Sequence, residues 1–577
     1  MPENRSDANE IELMWGVKIP MRDGILLNAT IYKPQINEPG PVIFMLTPYV
    51  GDTYHPRGNY FARHGYTFAI VDCRGRGNSD GEFIPWSNQE GLDCYDAIEW
   101  LAQQSWCSGQ VAMWGGSYMG SVQWLALKEA PAHLKTVVPV ASANAAVDVP
   151  NYHNIAYPYI IQWLTLVSGA SPNNALFAEQ SYWIEKFRHL YLNHIPFKDL
   201  DQLVGNPSPH FQRFLEHPRQ DGYWDRLRLS PAQYGLINLP VLTITGHYDT
   251  DQPGALEYYC EHMRYGALEA RSQHYLIIGP WDHFGTRTPT PEVGGVRFGS
   301  ASLLDLNQLH VAWYDWTLKG GPRPEFLKKR VAYYVMGSDT WKYADSFEDI
   351  SNETRRLYLT SQNSSANDVF NSGWLDESAP GEIPPDQYVY DPLDTCPAEL
   401  ERQEIKNYLT DQRYALNLFG NGLIYHSAPF AEATEISGCV KLSVWMEMDV
   451  PDTDFTAVLS EILPDGSHIR LTMDFMRARF RCSRSMEKLV VPGEINLYEF
   501  SGFTFFSRQI AKGSRLRLLI QSPNSIFWQK NYNSGGVVAE ETTKDARMAH
   551  VKLYHDTEYP SNLELPLVIP NGSENRQ

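Results

Sequence analysis

The chain has 577 residues, 43% of them hydrophobic, and sets 48 Lys plus Arg against 68 Asp plus Glu for a formal net charge of −20. That length calls for two to four packed units with ordinary cores. The charge repels phosphate backbones and anionic bilayers, so neither nucleic acid nor a membrane is an expected partner.

Seven scattered cysteines without a C-x-x-C pair suggest neither a disulfide framework nor a zinc knuckle. The opening MPENRSDANEIELMWG lacks a basic and apolar leader, and no later run could span a bilayer, so a cytoplasmic protein is expected. The segment WGVKIPMRDGILLNATIYKP reads as a hairpin turning at Arg22, Asp23 and Gly24. Apolar runs follow at 41–49, 66–72, 110–117 and 135–141, alternating with amphipathic stretches such as DCYDAIEWLAQQSW (93–106). This alternation predicts a parallel sheet with crossover helices, to which the hairpin adds antiparallel edge strands. Aromatic segments with helical spacing, YPYIIQWLTLV (157–167) and QSYWIEKFRHLYL (180–192), interrupt the pattern before it resumes at 239–246 and 274–280. From about 350 short alternating strands and turns take over, among them GCVKLSVWMEM (438–448), LPDGS (463–467) and SRLRLLIQS (514–522), and predict a jelly-roll β-sandwich. The expected organisation is an α/β-hydrolase core in two parts, 1–145 and 239–350, a helical cap at 146–238 and a jelly roll at 351–577. The last residues, PNGSENRQ, read as a disordered tail.

At the end of the third parallel run stands Gly115-Gly116-Ser117-Tyr118-Met119-Gly120, followed by a helical SVQWLALKEA. A nucleophilic serine on a tight strand-to-helix turn needs small neighbours, and the two preceding glycines supply them. Met119 stands where G-x-S-x-G has its second glycine, so the motif alone leaves a glycine-rich strand end as an equal alternative. A serine also needs an oriented imidazole. The later runs lead into Asp249 and into Asp282-His283, giving the order Ser, Asp, His with each residue just past a strand end. For the acid, Asp251 and Asp282 are rivals to Asp249. The segment 74–81 lacks the spacing of a phosphate loop and reads as structural.

These pieces, with Thr47-Pro48-Tyr49, Asp72-Cys73-Arg74-Gly75-Arg76-Gly77-Asn78-Ser79-Asp80-Gly81, Tyr425-His426-Ser427-Ala428-Pro429 and Pro451-Asp452-Thr453-Asp454-Phe455, resemble the cocaine esterase and α-amino-acid ester hydrolase family, related to X-Pro dipeptidyl-peptidases. The resemblance implies a G-x-S-Y-x-G elbow that accommodates Met119, and an oxyanion hole made by the Tyr49 hydroxyl and the Tyr118 N–H. An ordinary packed loop tyrosine is the alternative for Tyr49. Two positions after the triad acid the family varies between an aromatic pocket wall and an acid that contacts a substrate ammonium, and this chain has Asp251. The family's second acid is replaced by Gln252, and its cap acid, by alignment, by Asn151. Asp251 therefore has two readings, substrate contact or N-cap of a helix starting near Pro253, and the second makes neutral acyl esters the first expectation. The extra amino-terminal domain of X-Pro dipeptidyl-peptidases is missing from the sequence, which disfavours dipeptide release.

The expected activity is hydrolysis of small acyl esters or amides through an acyl-enzyme on Ser117, with His283 as base and Asp249 orienting it, and no metal or cofactor. An acyltransferase using the same residues is the rival within catalysis, and a jelly-roll binding protein with a vestigial catalytic domain is the rival outside it.

Overall fold

The computed structural model describes residues 9–362 and 364–570. The tail after Pro570 and the first eight residues, on which the readings of a disordered end and of no leader rest, lie outside them.

Ten strands form one sheet: β1 (Ile11–Pro20), β2 (Leu26–Pro34), β3 (Gly40–Thr47), β4 (Thr67–Asp72), β5 (Cys107–Gly116), β6 (Leu134–Val140), β7 (Val241–Tyr248), β8 (His274–Asp282), β9 (Val331–Val335) and β10 (Thr340–Ala344). Their spatial order is β1-β2-β4-β3-β5-β6-β7-β8-β9-β10. From β4 to β9 every neighbour is parallel, while β1, β2 and β10 join antiparallel. The parallel strands are apolar without alternation because both faces are covered. Val42, Phe44 and Leu46 of β3 pack into one core, whereas Ile43 and Met45 pack into the core on the opposite side. The order reverses where β4 and β5 flank β3, which leaves a crevice beyond the carboxyl ends of the strands.

Residues between β6 and β7 form helices, including Tyr159–Leu166, Gln180–Leu192 and Pro209–Glu216, and a two-residue hairpin, Asn151–Tyr152 with Ile155–Ala156. Trp163, Trp183, Phe187, Phe211 and Trp224 continue the core on one face of the sheet, so this insertion shares the sheet's hydrophobic packing.

Beyond β10, thirteen strands from Glu353–Thr360 to Asn562–Val568 form the β-rich carboxyl-terminal part, the expected jelly roll; their pairings are antiparallel except Gly373–Asp376 with Gly422–Ser427. Buried acid–arginine pairs brace it. Arg477 meets Asp454 at 2.8 Å, Arg479 meets Asp452 at 2.8 Å, and Asn531 donates to both acids. The jelly roll also grips the hydrolase core: the side chain of Gln252 donates to the Phe505 carbonyl at 2.9 Å and accepts the Phe505 N–H at 2.6 Å. No helix among the described residues is long and apolar enough to cross a membrane.

Candidate active site

Ser117 lies between β5 and the helix Tyr118–Glu129 with φ 62° and ψ −127°. This is a conformation that a non-glycine residue adopts only where its surroundings impose it. Here the Ser117 N–H donates to the Val140 carbonyl at 2.9 Å, and the Ser117 carbonyl accepts from Gly120 N–H at 2.8 Å. The flanking glycines are steric requirements. A Cβ on Gly115 would come within 2.5 Å of the Met119 Cβ, and one on Gly120 would meet Ser142 Oγ at 2.5 Å and the Val140 carbonyl at 2.9 Å. Met119 thus fills the space Gly115 leaves, which is the physical form of the departure from G-x-S-x-G.

His283 follows β8 and holds Nδ1 2.8 Å from Oδ1 of Asp249, which follows β7. Asp249 is buried, and its other oxygen accepts from the Thr245 hydroxyl at 2.8 Å. Its Oδ1 also accepts the Asp251 N–H at 3.0 Å. Asp282 instead turns to the Gly285 N–H at 2.7 Å. With Nδ1 donating to Asp249, the imidazole leaves Nε2 as its free acceptor.

Tyr49 follows β3. Its hydroxyl accepts the indole N–H of Trp163 at 2.9 Å, has the Ser117 hydroxyl beside it, and is pushed up by burial to about 12. A phenol that accepts one bond and keeps its proton has that proton left to donate. The Tyr118 ring stacks on Trp163 with centroids 5.3 Å apart, and its hydroxyl donates to buried Glu90 at 2.7 Å. The Tyr118 N–H stands at the amino end of its helix, where no intrahelical partner exists and negative charge is favoured. Trp163, which sequence reasoning missed, therefore touches both oxyanion candidates from the insertion.

Asp251 occupies the N-cap position of the helix Gln252–Tyr265 but makes no side-chain cap bond. Asp148 supplies it instead, accepting the Gly254 N–H at 2.6 Å and the Asn144 N–H at 2.7 Å. The reading of Asp251 as a capping residue is thereby corrected. Its carboxylate lies 3.7 Å from His283 Nδ1, and desolvation holds it well above the usual carboxylate range, with His283 opposing the shift. Asn151 sits in the small hairpin, buried and paired with Ala156. Gln252 is spent on the backbone of Gly246, His247 and Phe505.

Ser117, Tyr118, Asp249, Asp251 and His283 open onto one cavity of about 600 Å³, walled by aromatic residues of the insertion such as Tyr159 and Trp163 and by Phe475 and Trp528 of the jelly roll. The segment 74–81 stays structural. Arg76 is fully buried, donating to the carbonyls of Pro48 at 2.6 Å and Val167 at 2.8 Å, so it braces the loop carrying Tyr49 against the insertion. Among the described residues no group of three or more His, Cys, Asp or Glu could hold a metal ion.

A family model for X-Pro dipeptidyl-peptidase (S15 family) matches residues 23–285, and one for the X-Pro dipeptidyl-peptidase C-terminal non-catalytic domain matches 326–564. Cocaine esterase from Rhodococcus sp. (strain MB1 Bresler) is 28% identical over 578 residues, covering 96% of this chain and 98% of that protein. Among solved structures, an aminopeptidase from the marine sediment archaeon Thaumarchaeota archaeon superposes with a TM-score of 0.82 at 20% identity, covering 99% of this chain and 98% of its own. A selenomethionine-labelled α-amino acid ester hydrolase gives 0.82 at 20% identity, covering 98% of each chain. The chain belongs to the X-Pro dipeptidyl-peptidase-like serine hydrolases.

Proposed function

We propose that this enzyme hydrolyses small acyl esters or amides through an acyl-enzyme on Ser117. The observation that carries the reading is the His283 Nδ1 to Asp249 Oδ1 contact of 2.8 Å in the cavity that also holds the strained Ser117. In the first half-reaction Ser117 Oγ attacks the carbonyl carbon while its proton passes to His283 Nε2. Asp249 stabilises the imidazolium. The carbonyl oxygen takes the negative charge and receives hydrogen bonds from the Tyr49 hydroxyl and the Tyr118 N–H. Collapse breaks the bond to the leaving group, which takes the proton from His283. Water then repeats the sequence against the acyl-serine, with His283 again accepting the proton, and releases the acid.

The acyl group we favour bears an α-amine. Because Asp148 serves the helix terminus, Asp251 has no cap bond to make, and a desolvated carboxyl beside the triad gains most from an ammonium partner. This reverses the preference for neutral acyl groups that capping by Asp251 implied. Steady-state hydrolysis of matched 4-nitrophenyl esters of alanine and propionate tests it. Preference for the propionyl ester would return Asp251 to a structural role.

A further inference from the structure

We propose that Arg470 binds a carboxylate carried by the substrate away from its scissile carbonyl, so that the preferred esters or amides have a remote anionic group. The proposal rests on the Ser117 reading, since it concerns the same cavity. Arg470 lies on the jelly-roll strand His468–Arg477 and borders both the 600 Å³ cavity and a second one of about 420 Å³. The two share Ile184, Tyr408, Phe475, Phe527 and Trp528 as walls, so Arg470 stands where a substrate longer than a small acyl group would pass from one to the other.

Its guanidinium makes no ion pair and no hydrogen bond among the described residues, and the Tyr408 ring lies 5.5 Å from it. Arg470 is partly exposed to the cavities, whereas Arg477, Arg479 and Arg508 of the same domain are buried and each faces a carboxylate, of Asp454, Asp452 and Glu461 respectively. The ionisable groups that act on Arg470 include the phenols of Tyr408, Tyr248 and Tyr152 and the imidazole of His468. A guanidinium that faces a cavity without a counter-charge has all its donors free for an anion that enters. Its planar fork of donors matches a carboxylate bidentately. Asp251 beside the triad and Arg470 at the junction give the path groups of opposite charge.

The test compares the intact wild-type enzyme with Arg470→Gln and Arg470→Lys on two matched pairs. Mono-4-nitrophenyl adipate against 4-nitrophenyl hexanoate places the carboxylate on the acyl side, and 4-acetoxybenzoate against phenyl acetate places it on the leaving group. Wild type should favour the anionic member of at least one pair by about tenfold or more in kcat/KM, chiefly through KM. Which pair responds identifies the side that Arg470 serves. Arg470→Gln should bring that ratio near unity while leaving the neutral ester within about twofold, and Arg470→Lys should retain part of the preference. No anionic preference in either pair, or an equal loss on both members in Arg470→Gln, overturns the proposal. Failure of the Ser117 reading has a different signature: neutral-ester turnover that survives Ser117→Ala.

Discussion

Asp148 and Asp251 meet at the amino end of one helix, and replacing each should produce opposite phenotypes. In Asp148→Ala the N–H groups of Asn144 and Gly254 lose acceptors at 2.7 and 2.6 Å in a site that is 1% exposed. An unpaired buried donor costs about 1–3 kcal/mol, so the two together should cost roughly 2–4 kcal/mol after partial relaxation. Asp251→Ala loses no cap bond and removes a desolvated carboxyl. Its folding should be unchanged or slightly strengthened, while the alanyl-over-propionyl preference in kcat/KM should fall by about 30-fold or more, from the ~2–5 kcal/mol of a desolvated charge pair. Differential scanning calorimetry reads the first effect: Asp148→Ala should lower the transition containing the hydrolase core by several degrees. The reasoning is refuted if Asp251→Ala lowers that transition as far as Asp148→Ala and keeps its substrate ratio.

Tyr49→Phe should lower kcat by roughly 10² to 10³ with KM little changed, because the hydroxyl serves charge that exists only in the transition state; an unaltered kcat returns Tyr49 to packing. Burial raises Asp251, so in the free enzyme its ionised form appears only as pH climbs above the usual carboxylate range. The ratio of kcat/KM for the alanyl ester to that for the propionyl ester should therefore rise with pH in wild type and not in Asp251→Asn, and a ratio with the same pH dependence in both would contradict it. Burial also pushes Glu90 from 4.5 up to about 8. A carboxyl that holds its proton more tightly when folded makes stability fall as pH rises from about 4.5 towards about 8. The Tm difference between Glu90→Gln and wild type should accordingly grow in the variant's favour across that window, and a constant difference would remove Glu90 as its source.

The parallel strands were legible because burial on both faces erases alternation: the runs at 41–49 and 66–72 correspond to β3 at 40–47 and β4 at 67–72. The hairpin at Arg22-Asp23-Gly24 was legible from its turn residues, and Gly24 has φ 87°. Sequence reading did not recognise β9 and β10. Each has five residues, and β10 has no clean burial alternation, so neither periodicity separates them from the strands that follow. In the candidate site, residues at strand ends could be located from their runs, whereas long-range partners could not. Asp251 followed by Pro253 carries the local signature of a helix start, yet the bond at that terminus comes from Asp148, 106 residues away in sequence. Trp163 and Arg470 escaped for the same reason. One is a tryptophan in an apolar helix and the other an arginine in an alternating strand, and only tertiary packing sets them beside Tyr49 and the cavity.

The central claim is that Ser117 carries the acyl group, and peptide-level mass spectrometry of enzyme treated with a fluorophosphonate tests it most directly. One stoichiometric adduct is expected, on Ser117, formed together with loss of ester hydrolysis. Folded Ser117→Ala, with a circular dichroism spectrum like that of wild type, should show neither adduct nor turnover. An adduct on another residue with hydrolysis intact, or turnover persisting in Ser117→Ala, would contradict it.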